Sequence, residues 1–242
     1  MSQQASLRGT TPMGGGSTRA TRSVVRVESA EQFMAVARLR YRVYVEEMGR
    51  AEPHADHATR TVLDPEDERS ILLAAFDADG QAIGTVRVQA FDDLASDDVE
   101  FHGFPTMPDG LRRRSSLTAK LITDPRHRRG ALTTRLMLGI FRADYEHDRR
   151  VNLINCNPPL DRFFARFGFV AMGEPRDHPV YGMVRVMMLP TADLAYFEAI
   201  GSPFAPLLRE LGPDDAAARA TRDWAASRGV WYWEDRQADR RD

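Results

Sequence analysis

Four Arg or His side chains crowd one turn, Thr123-Asp124-Pro125-Arg126-His127-Arg128-Arg129-Gly130, between an apolar run and a helical one. A helix N-terminus presents unpaired backbone N–H groups and the positive end of the helix dipole, so such a turn suits a phosphate. Taken alone it is also a solvated charge run. Its place at the carboxyl end of a strand that feeds a helix, where α/β sheets bind ligands, favours the phosphate. A second constellation is dispersed along the chain: Arg40, Asp64, Asp67 and Arg87. These residues can form an ion-pair network that pins a helix to a hairpin, or a guanidinium can hold a carboxylate bidentately; both readings stay open. Glu100 and His102 are candidates for proton transfer, and His178 in His178-Pro179-Val180-Tyr181-Gly182 is a loop residue that could line the same site. Cys156 is the only cysteine, at the end of an apolar run, and reads as a small core residue. No His, Cys, Asp and Glu set has metal-ligand spacing, and no nucleophile-elbow motif supports a serine triad.

The elements that must position these groups follow from periodicity. Val24, Val25 and Val27 suggest a first strand. Residues 30–47 carry apolar side chains at helical spacing, Phe33, Val36, Ala37, Leu39, Val43 and Tyr44, and stop at Met48-Gly49. Ile71–Phe76 and Ile83–Val88 flank Asp79-Gly80 as a hairpin. Residues 91–115 are polar and irregular, with Pro105 and Pro108, and predict a long loop. Leu117–Thr123, the helix Leu132–Tyr145 and Val151–Cys156 form a βαβ unit, which makes part of the sheet parallel. A short helix over 160–167 closes at Gly168, strands begin at Phe169 and Gly182, and the chain beyond Thr191 reads as mostly helical. The fold class is α/β with a mixed sheet. The domain division is a disordered tail over 1–22, a main domain over 23–190 and a helical extension over 191–242. The tail is rich in Ser, Thr, Gly and Gln and cannot bury enough apolar surface to order itself.

Composition excludes several classes. At 242 residues, 43% apolar and 28% charged, with a net charge of −2, the chain is an ordinary globular one with no bulk attraction to nucleic acid or acidic membranes. No run is long enough to span a bilayer, and no h-region marks a secretory signal, so the expected compartment is the cytosol. Lys120 is the only lysine; the preference for Arg reads as coding bias without functional weight.

The strand, the P-x-x-R-R-G turn, the helix through Leu136-Met137, the next strand and Phe163-Phe164-Ala165-Arg166-Phe167-Gly168-Phe169 resemble the acyl-donor half of a GNAT acyltransferase. The resemblance implies a GNAT-like fold whose two parallel strands splay to admit a pantetheine arm. A backbone N–H on the first of them, near Leu121 or Ile122, would hold the thioester oxygen as it gains charge. Thr123, Arg128, Arg129, Gly130, Ala131, Thr133, Asn155 and Phe164 are then the donor-binding positions. The family's R-x-x-G-x-G/A loop has lost both glycines here, to Ala131 and Thr133, so the backbone is barred from the close approach a CoA diphosphate needs. Its thiolate-protonating tyrosine aligns with Phe164. These departures point to acyl carrier protein, which presents one phosphate and an acidic helix, with Arg112, Arg113, Arg114, Arg126, Arg128, Arg129 and Arg135 as the complementary face.

The N-terminal half is similar to the acyl-homoserine-lactone synthases and to the related N-acyl amino acid synthases. Arg40, Tyr44 and Arg50 fall where the former carry Arg, Phe and Trp. Asp64 and Asp67 repeat D-x-x-D, Gly84 to Arg87 repeat G-x-x-R, and Arg40 to Glu47 repeat R-x-x-V-[FY]-x-x-E. The lactone synthases' E-x-x-R is missing: Ser116-Leu117-Thr118-Ala119-Lys120 has no Glu. The resemblance, over residues 38–189, therefore implies an N-acyl amino acid synthase-like enzyme. A medium or long acyl chain would pass from acyl carrier protein to the amine of a small acceptor, with Arg40, Tyr44, Asp64, Asp67 and Arg87 on the acceptor side. It implies acyl-phosphopantetheine, on carrier protein or CoA, as co-substrate and no permanently bound cofactor. The alternatives are a lactone synthase-like enzyme, an acetyl-CoA N-acetyltransferase and a non-catalytic pantetheine-binding module.

Overall fold

The computed structural model describes residues 23–128 and 130–232; the expected tail over 1–22, Arg129 and Trp233 lie outside them. After β1 (Val24–Arg26) comes α1 (Ala30–Arg40), opened by a capping box in which Ser29 accepts from the Gln32 N–H and Gln32 accepts from the Ser29 N–H. The helix does not run on to Glu47 as an α-helix: Tyr41–Glu47 widens into a π-helix, a distortion that concentrates near functional sites. A small antiparallel pair, β2 (Ala55–Asp56) and β3 (Thr61–Val62), precedes the long hairpin of β4 (Ile71–Phe76) and β5 (Ala82–Ala90).

The expected long loop over 91–115 is instead largely helical. It holds α2 (Ser96–His102), α3 (Asp109–Arg112) and 3₁₀ turns at Phe91–Asp93 and Phe104–Thr106. Phe104, Met107 and Leu111 are buried and tie these short turns to the core; apolar anchors three and four residues apart are too few to show as a period in the sequence.

Next come β6 (Ser115–Thr123), α4 (Leu132–Glu146), β7 (Val151–Cys156), α5 (Asp161–Ala165), β8 (Val170–Ala171), β9 (Arg176–His178) and β10 (Gly182–Leu189). The main sheet runs β1-β4-β5-β6-β7-β10-β8, with β9 paired to β10. Each of its pairings is antiparallel except β6 with β7, which is parallel. A mixed sheet with one parallel pair at its centre is the fold the βαβ pattern required. Helix α1 packs on one face and α4 on the other, against β4 and β5. Gly84 permits the second contact: a Cβ there would meet Leu136 Cδ1 at 3.0 Å and Leu132 Cδ2 at 3.1 Å. The glycine of G-x-x-R is thus a point at which α4 packs tightly on β5.

Three further helices, α6 (Leu194–Ile200), α7 (Ala205–Leu211) and α8 (Asp215–Ser227), follow among the described residues. They are not a separate body, because Phe197, Phe204, Leu208 and Trp224 belong to the same buried cluster as Phe141, Leu153 and Phe169. Phe204 stacks on Phe141 at 4.4 Å.

Candidate functional site

The parallel strands pair only at Ser115–Leu117 with Val151–Leu153. Beyond that, β6 continues to Thr123 beside β5 and β7 continues to Cys156 beside β10, with no register between them. Two inward edges, each with main-chain donors and acceptors, face an opening between the strands. At its mouth β6 carries an extra residue: Thr85 opposes Ile122 while Arg87 opposes Ala119, so Lys120 and Leu121 share the single partner position of Val86. Lys120 has φ +54°, a left-handed conformation uncommon for a side chain of its kind. Ala119, Lys120, Leu121 and Asn155 are part-exposed, whereas Ile122 and Thr123 are buried. The Lys120 side chain is only 5% exposed, so what this residue shows to solvent is mainly backbone. The bulge thus lies at Lys120–Leu121, next to Ile122.

The closed end of the strand pair is held by a buried polar knot. Asp144 on α4 accepts from Ser116 Oγ at 2.6 Å and from Asn152 Nδ2 at 3.0 Å, and Asn152 also donates to Thr118 Oγ1 at 2.8 Å. Burial raises the Asp144 carboxyl to about 6, against the pull of those hydrogen bonds. A carboxyl that binds its proton more tightly folded than unfolded favours folding below about pH 4, and that contribution disappears as pH rises through about 6. Asp144→Asn removes the titration. Between about pH 4 and 7 the variant should gain about 3 kcal/mol relative to the parent chain, measured by chemical denaturation at each pH; parallel pH profiles would refute the assignment.

Above the bulge lies a cluster of buried charge. Arg40 pairs with Asp67 through both terminal nitrogens, its Nη2 to Oδ1 contact being 2.9 Å. Arg87 reaches Asp64 Oδ2 at 2.9 Å, Asp67 Oδ1 at 3.5 Å and Glu66. The D-x-x-D and G-x-x-R motifs therefore meet, with Asp64 capping the 3₁₀ turn Pro65–Arg69 and Asp67 within it. Both guanidiniums are engaged by carboxylates of the chain itself. Lys120 Nζ stands 3.4 Å from Glu52 Oε2 and 3.5 Å from Asp64 Oδ2, over the Tyr44 ring at 5.2 Å and the Tyr181 ring at 5.7 Å. Burial opposes its charge, but Tyr181, Tyr44, Glu52 and Asp64 outweigh that and hold its pKa above the ordinary lysine range. Burial also raises the Tyr44 phenol.

His102 and Glu100 part company. His102 is buried; its Nδ1 lies 2.8 Å from the Asp98 carbonyl and its Nε2 3.3 Å from Asn155 Nδ2. Burial lowers its pKa to about 4, so the ring is neutral at pH 7, with Nδ1–H donating to Asp98 and Nε2 accepting from Asn155. Glu100 is exposed two residues away, on a different face of α2. Asp98, which faces Arg87, His178 and Asp64, has its carboxyl raised by burial. His178 stacks on Tyr181 at 4.6 Å and packs edge-on to Phe101 at 4.6 Å.

The basic turn forms as a 3₁₀ segment, Pro125–His127, feeding α4. Ala131 precedes α4 without a side-chain cap, and a Cβ at Gly130 would meet only the His127 carbonyl, at 3.7 Å, so the helix N-terminus is open. Thr133 is part-buried in its first turn. Arg128 is tied down: Nε donates to the Thr123 carbonyl at 3.2 Å and Nη2 to Glu47 Oε2 at 2.7 Å. That contact explains the last Glu of R-x-x-V-[FY]-x-x-E, which braces the turn against the π-helix. The described arginines of the expected docking face do not lie together. Arg112, Arg113 and Arg114 precede β6, whereas Arg126, Arg128 and Arg135 follow it, about 25–30 Å further along an extended strand of that length. Arg112 pairs with Asp109, and Arg114 with Asp148 and Asp214. Phe164 lies in the core against Phe163 and Phe169, and burial pushes the Cys156 thiol up to about 12. Among the described residues no group of three or more His, Cys, Asp or Glu side chains could hold a metal, and no helix is long and apolar enough to cross a membrane.

Sequence reasoning missed Lys120, Glu52 and Asp98, whereas the segment His178-Pro179-Val180-Tyr181-Gly182, expected to line the acceptor side, does bring Tyr181 under Lys120 and Arg50. Lys120 had a signal: a charged side chain inside the apolar run Leu117–Thr123 of a central strand must be paired. Glu52, in an irregular segment beside Pro53, had none.

The family described as N-acyl amino acid synthase FeeM matches residues 35–190. No curated protein is significantly similar to the chain in sequence. Among solved structures, TofI in a ternary complex with an inhibitor and MTA is 16% identical with a TM-score of 0.57, over 77% of this chain and 99% of that one. The CoA-dependent acyl-homoserine lactone synthase BjaI with MTA is 19% identical with a TM-score of 0.57, over 83% and 99%. FeeM, an N-acyl amino acid synthase from uncultured soil microbes, is 16% identical with a TM-score of 0.55, over 77% and 99%. These likenesses bear out the GNAT-like fold, and the match over 35–190 takes in the charged cluster, the bulged strand and the parallel pair together: the chain belongs to the FeeM family of N-acyl amino acid synthases and is an N-acyltransferase.

Proposed function

We propose that the chain transfers a medium or long acyl group from acyl carrier protein to the amine of an amino acid. The observation that carries the donor side is the parting of β6 and β7 after Leu117 and Leu153. A pantetheine arm carries amides that can pair with both free strand edges, Asn155 among them, much as an added strand would. Its phosphate meets the open N-terminus of α4 at Gly130, Ala131 and Thr133. The thioester then lies at the bulge. The Leu121 N–H is the natural oxyanion donor, because Ile122 keeps its place opposite Thr85 while Lys120 and Leu121 have no register partner of their own. Phe164 offers no proton to the leaving thiolate, which as an alkyl thiol needs little help. The acetyl-CoA alternative lacks support in a loop that has Ala131 and Thr133 for glycines.

Incubation with carrier protein bearing acyl chains of several lengths and a pool of amino acids should release free thiol and yield an N-acyl amino acid by mass spectrometry. Turnover of acetyl-CoA with no turnover of acyl carrier protein would overturn the donor assignment, and tight carrier binding without thiol release would favour a binding module. Docking should engage the basic end near the phosphate site. Arg126→Glu with Arg135→Glu should raise KM for the carrier about tenfold at low salt, an effect that fades at high salt, whereas Arg113→Glu should not. Equal effects at both ends would refute that docking polarity.

A further inference from the structure

We infer that Arg50 and Glu52 form the subsite that seizes a zwitterionic α-amino acid, Arg50 through its carboxylate and Glu52 through its ammonium. This rests on the amino-acid acceptor reading above and assigns its residues. The guanidiniums of Arg40 and Arg87 are spent on Asp64, Glu66 and Asp67. Arg50 differs. Its guanidinium lies over the Tyr44 ring at 5.5 Å and the Tyr181 ring at 5.8 Å, is part-exposed, and has no ion pair among the described residues. Lys120 stands over the same two rings, and Lys120 holds Glu52. The Glu52 side chain is 2% exposed and gives only Oε2 to Lys120; Oε1 is buried with no hydrogen-bond partner. A buried carboxylate oxygen with no donor is costly unless something supplies one. An ammonium does, and the α-carboxylate beside it meets the one uncommitted guanidinium of the cluster. Lys120 joins this subsite to the bulge, since it is itself a bulge residue.

The chemistry balances. Glu52 Oε1 takes one proton from the acceptor ammonium and passes it to solvent. The neutral nitrogen attacks the thioester carbon, the C–N bond forms, and the C–S bond breaks. The nitrogen's second proton goes to the departing thiolate, giving amide and thiol. Glu52 thereby supplies the carboxylate that the missing E-x-x-R would have placed on β6.

The test compares acceptors with and without a carboxylate, phenylalanine against phenethylamine and alanine against ethylamine, using the full chain and acyl carrier protein as donor. Arg50→Met should raise KM for the amino acid roughly 10- to 100-fold more than KM for its amine partner. Glu52→Gln should lower kcat about 10²- to 10⁴-fold for both and leave a residual rate that climbs with pH as free amine becomes available, with Glu52→Asp restoring part of the activity. An unchanged KM for acyl carrier protein certifies the fold of each variant. If Arg50→Met affects both acceptor types equally, or Glu52→Gln keeps its rate and pH profile, the subsite is wrong while the amino-acid reading stands. A parent chain that acylates the amines but no amino acid overturns both.

Discussion

Asp67→Ala should cost about 3–5 kcal/mol, because it strands the Arg40 guanidinium without its bidentate partner. Arg40 is 1% exposed and Asp67 is 8% exposed at the side chain, so water cannot take over the lost contacts, and Arg40 Nε is already without a partner. For a chain of this size such a loss lowers the melting midpoint by roughly 6–20 °C. Glu66→Ala, which removes the most exposed carboxylate of the same cluster, at 30%, should cost about 1 kcal/mol or less. Removing both charges as Arg40→Met with Asp67→Leu should recover much of the single-variant loss, since the penalty lies in the unpaired charge. Thermal melts of the four proteins decide this. If Asp67→Ala melts with the parent chain, the cluster is not the buried brace between α1 and β5 described here.

Replacing the Lys120–Leu121 amide by an ester, through incorporation of the α-hydroxy analogue of leucine, deletes one N–H and leaves every side chain in place. The proposed oxyanion role predicts a fall in kcat of about 10²- to 10³-fold with KM for the acyl donor little changed, because the donor gains charge only as the amine attacks. The same exchange at Ile122 should cost far less activity. Single-turnover thiol release with both esters separates chemistry from product release. Equal rates for the two would remove Leu121 from the mechanism.

Much of this architecture could be read before any coordinates. The hairpin, the βαβ unit and the helix over 132–145 are long periodic segments in which one side chain after another reports the same face. The D-x-x-D and G-x-x-R pairs were legible as partners because the charges are opposite and the sites buried, although whether they bind substrate or brace the fold could not be. The structure commits both guanidiniums to internal carboxylates, which leaves less of them for a ligand. The helices between 96 and 112 escaped because they hold few residues and owe their shape to Phe104, Met107 and Leu111 anchoring in a core formed elsewhere. Lys120 was visible but discounted as a remnant of Arg-rich coding. Its left-handed backbone belongs to the bulge, a property of register between strands that no local residue preference announces. The helices after Thr191 were anticipated as helices, but their place in the main aromatic core depends on contacts more than fifty residues distant, such as Phe204 on Phe141.

Because Lys120 is the sole lysine of 242 residues, growth on isotope-labelled lysine would place a single nitrogen label at the mouth of the opening between β6 and β7. Its ammonium resonance, unobscured by any other lysine, would report donor arrival, acceptor arrival and proton movement in turn, without a mutation or an attached probe.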